Sequence, residues 1–148
     1  MPMNDGITVR RVLSSPCKQV FEAWTRPELM ARWFFAGVGW TTKVTADLRV
    51  GGRYQLSMRD ASGTVHEQFG EYREIVPVTR LVFTWSCPDL GLVDSVVTIN
   101  LVDLGARTEL ELTHVLPPDP KVRRGHEEGW IGCLTNLERL LGHLGHHA

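Results

Sequence analysis

From Val122 or Arg123 to Leu144 the sequence carries one apolar stripe. Trp130, Leu134, Leu137, Leu141 and Leu144 follow in steps of four, three, four and three. That spacing puts all five side chains on one side of an α-helix. About twenty helical residues span roughly 30 Å, enough to cross several β-strands about 4.8 Å apart. A helix this long with a single greasy side has to lie across an apolar surface, and the preceding sequence supplies strands for one.

Ile7–Leu13 alternates apolar and polar residues and reads as a strand. Ser15 is placed to cap a helix with Pro16 at its first position, where a missing N–H costs nothing. Val20, Phe21 and Trp24 then recur at helical spacing. A second short helix is expected in "TRPELMARWFF", with Thr25 and Glu28 at capping-box spacing and Leu29, Met30 and Trp33 on its apolar side. Trp40–Asp47 and Arg53–Arg59 are strand candidates joined by a reversal at Gly51-Gly52, where positive φ is permitted. Asp60–Gly63 is a further turn and leads into a strand over Thr64–Ile75. Arg80–Ser86 puts Leu81, Phe83 and Trp85 on one face. "DSVVTINLVD" and "RTELELTH" form a last hairpin, with Leu110 and Leu112 opposed to Glu109 and Glu111. This alternation predicts an antiparallel sheet with one wet face and one covered face.

Composition excludes several functional classes. With 148 residues, 22% charged and a net charge of -1, the chain has no basic footprint for nucleic acid. No apolar run reaches membrane-spanning length, so no membrane insertion is expected. No charged-then-apolar leader begins the chain, and Cys17, Cys87 and Cys133 are too scattered for a CxxC site. Three reduced thiols in a cytoplasmic protein is the expectation.

The strings "VFEAWTRPELMARWF", "DLRVGGRY", "GEYREIVPVTRLVFTW", "TELELTH" and "HEEGW", in this order, span most of the chain. Together they resemble the START-like, or SRPBCC, helix-grip superfamily. The branch is the bacterial one similar to the C-terminal domain of Aha-type activators of a heat-shock chaperone ATPase. The resemblance implies an α+β fold across residues 1–148: a curved antiparallel sheet of six or seven strands around one long C-terminal helix, with two short helices after the first strand. It also implies a cavity between sheet and helix. Family members include apolar-ligand carriers, polyketide cyclases and chaperone regulators, and fold alone does not choose among them.

The leading expectation is binding of a small apolar or amphipathic molecule in that cavity. The residues expected to line it are Trp33, Phe34, Trp40, Met58, Phe83, Trp85, His114, Trp130 and Leu134. Aromatic walls with a few directed polar groups suit such a site. One alternative is a cyclase-like or hydrolase-like enzyme with His114 or a glutamate carrying the proton. Another is a chaperone-associated or stress-response interaction module. The chain has no counterpart of the eukaryotic activators' N-terminal domain, which argues against ATPase stimulation by this domain alone. Two-fold self-association through an open sheet edge is a further expectation.

No motif assigns a catalytic residue, a cofactor or a metal. There is no G-x-S-x-G, and the paired glycines lack the spacing of a phosphate loop. His66 is expected on the opposite strand face from Glu67 and Glu71, while His126 and Glu127 are expected as a solvated helix start. His143, His146 and His147 lie in a glycine-containing tail, where fraying outweighs metal binding.

Overall fold

The computed structural model describes residues 6–34 and 40–145. The element order is β1 (Gly6–Leu13), α1 (Cys17–Thr25), α2 (Pro27–Met30), β2 (Thr41–Ala46), β3 (Arg53–Arg59), β4 (Val65–Val76), β5 (Arg80–Cys87), a 3-10 turn (Pro88–Leu90), β6 (Leu92–Asp103), β7 (Thr108–Val115) and α3 (Pro120–Gly145). The seven strands form one antiparallel sheet in the order β1-β7-β6-β5-β4-β3-β2. This is the α+β helix-grip arrangement. Each step from β2 to β7 is a meander, and only β1 travels to join the far edge beside β7.

Alternation decides which side of each strand is covered. Tyr54, Leu56 and Met58 of β3 are buried while Arg53, Gln55 and Arg59 face solvent. Leu110, Leu112 and His114 of β7 are buried in the same way. The central strand β5 is covered on both sides, every residue from Leu81 to Cys87 being buried. Between Tyr72 and Glu74 the register shifts. There Tyr72 also exchanges backbone hydrogen bonds with Gly51 and Gly52 of the β2–β3 loop. Such an irregularity bends a strand.

Helix α3 lies over the covered face, its buried side formed by Trp130, Cys133, Leu134, Leu137, Leu140 and Leu141. Leu144 packs partly against the same core. Three polar ties hold the helix. Arg11 of β1 donates to Thr135 and Glu138 at 3.1 Å each. Asn136 donates to the Trp33 carbonyl at 3.3 Å. Trp130 donates to His114 at 3.0 Å.

Two expected helix caps are absent. Helix α1 begins one residue later than Ser15 would place it, with Pro16 as its N-cap and no side-chain cap. Ser15 is buried against β7, its carbonyl accepting the Thr108 hydroxyl at 2.7 Å. Thr25 caps nothing either, because its hydroxyl donates back to the Phe21 carbonyl at 2.8 Å. Helix α2 starts from Arg26 and continues as turns through Phe34.

Candidate functional site

Beneath the first turns of α3, His114 of β7 is fully buried. The indole Nε1–H of Trp130 can only donate, so His114 Nδ1 must accept at 3.0 Å. The other nitrogen, Nε2, then carries the proton and donates to Ser95 Oγ at 2.8 Å. The Ser95 hydroxyl donates onward to the Trp85 carbonyl at 2.6 Å. The hydrogen bonds run in one direction, and both ring nitrogens of His114 are used. Burial, reinforced by the neighbouring His126 ring 5.2 Å away, lowers the His114 pKa to about 3. The imidazole is therefore neutral and has no free lone pair. It pins α3 to the sheet and is unavailable as the proton carrier of the enzymatic alternative.

His126, expected at a solvated helix start, is instead buried against His114. Its Nδ1–H donates to the Val122 carbonyl at 3.0 Å. Burial lowers its pKa, and that backbone bond partly offsets the effect.

Next to this pin, aromatic side chains from four elements pack on one another. Trp24 lies 4.6 Å from Trp33 and 5.4 Å from Phe34, both edge-on. Trp85 lies 5.1 Å from Trp130. These rings pack on one another beneath α3. Among the described residues an apolar gap of about 10 Å³ beside them is lined by Trp24, Met30, Phe34, Tyr54, Tyr72, Leu81 and Phe83. It has room for roughly one water molecule.

Two lining groups lack hydrogen-bond partners: Trp24 Nε1 and the Tyr72 hydroxyl, both buried. Tyr54 beside them is satisfied, its hydroxyl donating to the Thr84 carbonyl at 2.5 Å. Burial raises the Tyr72 pKa to about 12. The Tyr54 pKa is also raised, by burial first and then by Tyr72. Both phenols are neutral donors.

A third polar group sits at the end of the sheet nearest the β3–β4 turn. His66 faces away from Glu67 and Glu71, its Nε2 bonded to Asp60 at 2.9 Å and its Nδ1 to Asp89 at 2.8 Å. Trp40 stacks on its ring at 5.4 Å. Hydrogen bonds to Asp60 and then Asp89 raise the His66 pKa and favour the protonated ring. The Asp60 pKa is lowered, chiefly by its bonds to Ser62 and His66. This is a clasp between the turn and the 3-10 segment.

With this geometry in place, comparison with known proteins is decisive at the level of family. The family model "Activator of Hsp90 ATPase homolog 1-like protein" (AHSA1) matches residues 14–142. The chain belongs to this family. Among solved structures, protein CV1439 from Chromobacterium violaceum is 32% identical with a TM-score of 0.82, over 94% of this chain and 98% of that one. Protein NE0264 from Nitrosomonas europaea is 26% identical with a TM-score of 0.77, over 94% and 95%. PFC0360w, an HSP90 activator from Plasmodium falciparum, is 26% identical with a TM-score of 0.72, over 92% and 95%. No curated protein matches the chain.

Within this AHSA1 domain the nine residues expected to line a cavity divide into three groups. Phe34 and Phe83 border the gap. Trp33, Trp85, His114, Trp130 and Leu134 are buried in the packing around it, Trp33 donating to the Ala23 carbonyl at 2.9 Å. Trp40 and Met58 belong to the opposite end, Trp40 half-exposed on His66 and Met58 paired across strands with Thr42 and His66. The residues missed were Trp24, Met30, Tyr54, Tyr72 and Leu81. For Tyr54 the available signal was its parity with Leu56 on β3; Tyr72 lies opposite Phe83 across β4 and β5, a pairing that no local period announces. Among the described residues no cluster of His, Cys, Asp and Glu could hold a metal ion. His146 and His147 lie outside the described residues. No helix among the described residues is long and apolar enough to cross a membrane.

Proposed function

We propose that this AHSA1 domain binds a small, largely apolar molecule bearing one hydrogen-bond acceptor. The molecule would seat between α1, α2 and the sheet at the gap beside Trp24 and Tyr72. The observation that carries this reading is the pair of buried, unpartnered donors on an otherwise apolar wall. A buried donor without a partner costs about 1–3 kcal/mol, which an acceptor oxygen brought into the gap offsets. The gap has to widen to admit more than a water. Its movable wall is Met30 and Phe34, carried by the single turn of α2 and the turn after it. Methionine adapts to irregular partners. Apolar burial would supply affinity at about 25 cal/mol per Å², less the cost of opening.

The test is a thermal-shift screen with aromatic and medium-chain ketones, esters and acids, run on the wild type and on Tyr72→Phe. A bound ligand at a hundred times its Kd adds about 2.7 kcal/mol, a rise in Tm of several degrees. Tyr72→Phe removes an unsatisfied hydroxyl, so the unliganded variant is as stable as the wild type or up to about 1 kcal/mol more stable. Its ligand-induced shift falls. A screen with no hits, or an equal shift in Tyr72→Phe, overturns the reading.

A second reading has specific support from similarity to an HSP90 activator along nearly its whole length. On it, the domain contacts a chaperone ATPase. ATPase rates of a bacterial Hsp90-type chaperone with and without the full chain test it; unchanged rates at saturating protein count against it.

A further inference from the structure

Beside the β3–β4 turn, the imidazole of His66 stands between two carboxylates. Nε2 lies 2.9 Å from Asp60 Oδ2, and Nδ1 lies 2.8 Å from Asp89 Oδ2. With both carboxylates ionised, only the doubly protonated ring donates to both, because a neutral ring has one N–H and one lone pair. Loss of a proton therefore turns one of the two contacts from a hydrogen bond into a lone pair facing an anion.

The two partners are not equally placed to keep their bond. Asp60 is fixed by its own turn: Oδ1 accepts from the Ser62 backbone N–H at 2.9 Å, the Ser62 hydroxyl at 2.6 Å and the Thr64 backbone N–H at 3.0 Å. Its side chain is only 20% exposed. The Asp89 side chain is 59% exposed, and among the described residues it bonds to His66 alone. Asp89 belongs to the 3-10 turn Pro88–Leu90, which Gly91 closes by donating to the Pro88 carbonyl at 3.0 Å. Buried Cys87 and Leu92 anchor the chain on either side of that turn.

Asp60 and Asp89 are the charged groups that act on the ring. Arg59 and Glu67, next to it on β3 and β4, face the other side of the sheet. There Arg59 donates to the Gly63 carbonyl, and Glu67 accepts from Gln55 and Ser57. Met58 is the cross-strand neighbour of His66 on β3. Trp40 stacks on the ring at 5.4 Å with 20° between the planes. A positive ring gains cation–π attraction from the indole.

We propose that the His66 clasp is a pH-operated latch on the β5–β6 connection, tying the 3-10 turn to the β3–β4 turn when protonated and releasing it when neutral. The neutral ring keeps its Nε2–H on Asp60 and turns a lone pair towards Asp89, so the 3-10 turn is the side that lets go. The two carboxylates raise the ring's pKa above the ordinary 6.5, so release falls on the alkaline side of that value. At the far end of the same connection Ser95 stays bonded to His114, whose pKa of about 3 keeps it neutral throughout. The change is therefore confined to the stretch around Asp89. None of these residues lines the gap beside Trp24, so the latch does not depend on what that gap binds.

The test is carbon-detected NMR of the labelled, full-length chain from about pH 5.5 to about pH 9, which spans the histidine range. Signals of Pro88–Gly91 should move with the midpoint of the His66 ring, above 6.5. At the alkaline end they should coincide with those of Asp89→Ala, which lacks the latch at every pH. Ser62 and Thr64 should move little, and the neutral ring should carry its proton on Nε2. Asp89→Asn supplies an amide that can donate to the neutral ring or accept from the charged one. In that variant Pro88–Gly91 should stay docked across the range, while His66 titrates at a lower midpoint. The Asp89 side chain is exposed, so both variants keep the fold. Static Pro88–Gly91 signals through the His66 transition, an alkaline spectrum unlike that of Asp89→Ala, or release at Ser62 and Thr64 instead, overturns the proposal.

Discussion

His114 shows how one buried ring ties acidity to stability. Its folded pKa of about 3 lies below the ordinary value of 6.5, so protons bind the unfolded chain more readily. The stabilising contribution is complete above about pH 6.5 and is lost as pH falls towards about 3. At about pH 5 the deficit is 1.5 units, or about 2 kcal/mol, and His126 acts in the same direction. His66 acts oppositely. Its raised pKa gives stability that is present in acid and lost as pH rises through its folded value. It is only partly buried, however, and screened by solvent. Urea melts at about pH 7.5 and pH 5 should therefore show a net loss in acid, and His114→Gln should flatten that slope. An equal slope in the variant would assign the acid sensitivity elsewhere. The inward direction of His114 was legible from its parity with Leu110 and Leu112. Its tautomer was not, because that depends on Trp130, sixteen residues further along.

At the scale of elements, the glycines separate close packing from plain cost. A Cβ on Gly70 would lie 1.9 Å from the Thr84 carbonyl oxygen and 2.7 Å from the Tyr54 hydroxyl. Gly70→Ala must therefore push β4 from β5, and should destabilise by about 2–4 kcal/mol. On α3, Gly125 and Gly132 face open space. There Gly→Ala should stabilise by about 0.5–1 kcal/mol each, through helix propensity and the unfolded chain's entropy. Chemical denaturation of the three variants checks both signs. The strands and the long helix were readable because their periods of two and 3.6 act locally. The caps were misread because Ser15 and Thr25 answer to other partners: Ser15 is drawn into the β1–β7 contact, and Thr25 bonds back along its own helix.

Across the whole molecule, one cluster of buried side chains joins β1, α1, α2, the central strands and α3. Nothing in that cluster marks a part able to unfold alone. Tryptophan fluorescence and far-UV circular dichroism should report one coincident transition in urea; separated midpoints would show that α3 releases before the sheet. The alternation of the strands, the stripe on α3 and the order of elements were set by the chain itself, because each is a repeat within a few residues of its neighbours. The curved sheet and the covering helix follow from burying those faces. Tertiary structure alone decided how the interior is packed. Trp24, Trp33, Phe34, Trp85 and Trp130 are apolar whether they line a hollow or fill it. Their packing on one another, with Trp24 Nε1 and the Tyr72 hydroxyl left without partners, belongs to the assembled core. It also brought Asp89 to His66, 23 residues away in sequence, where no local period could have joined them.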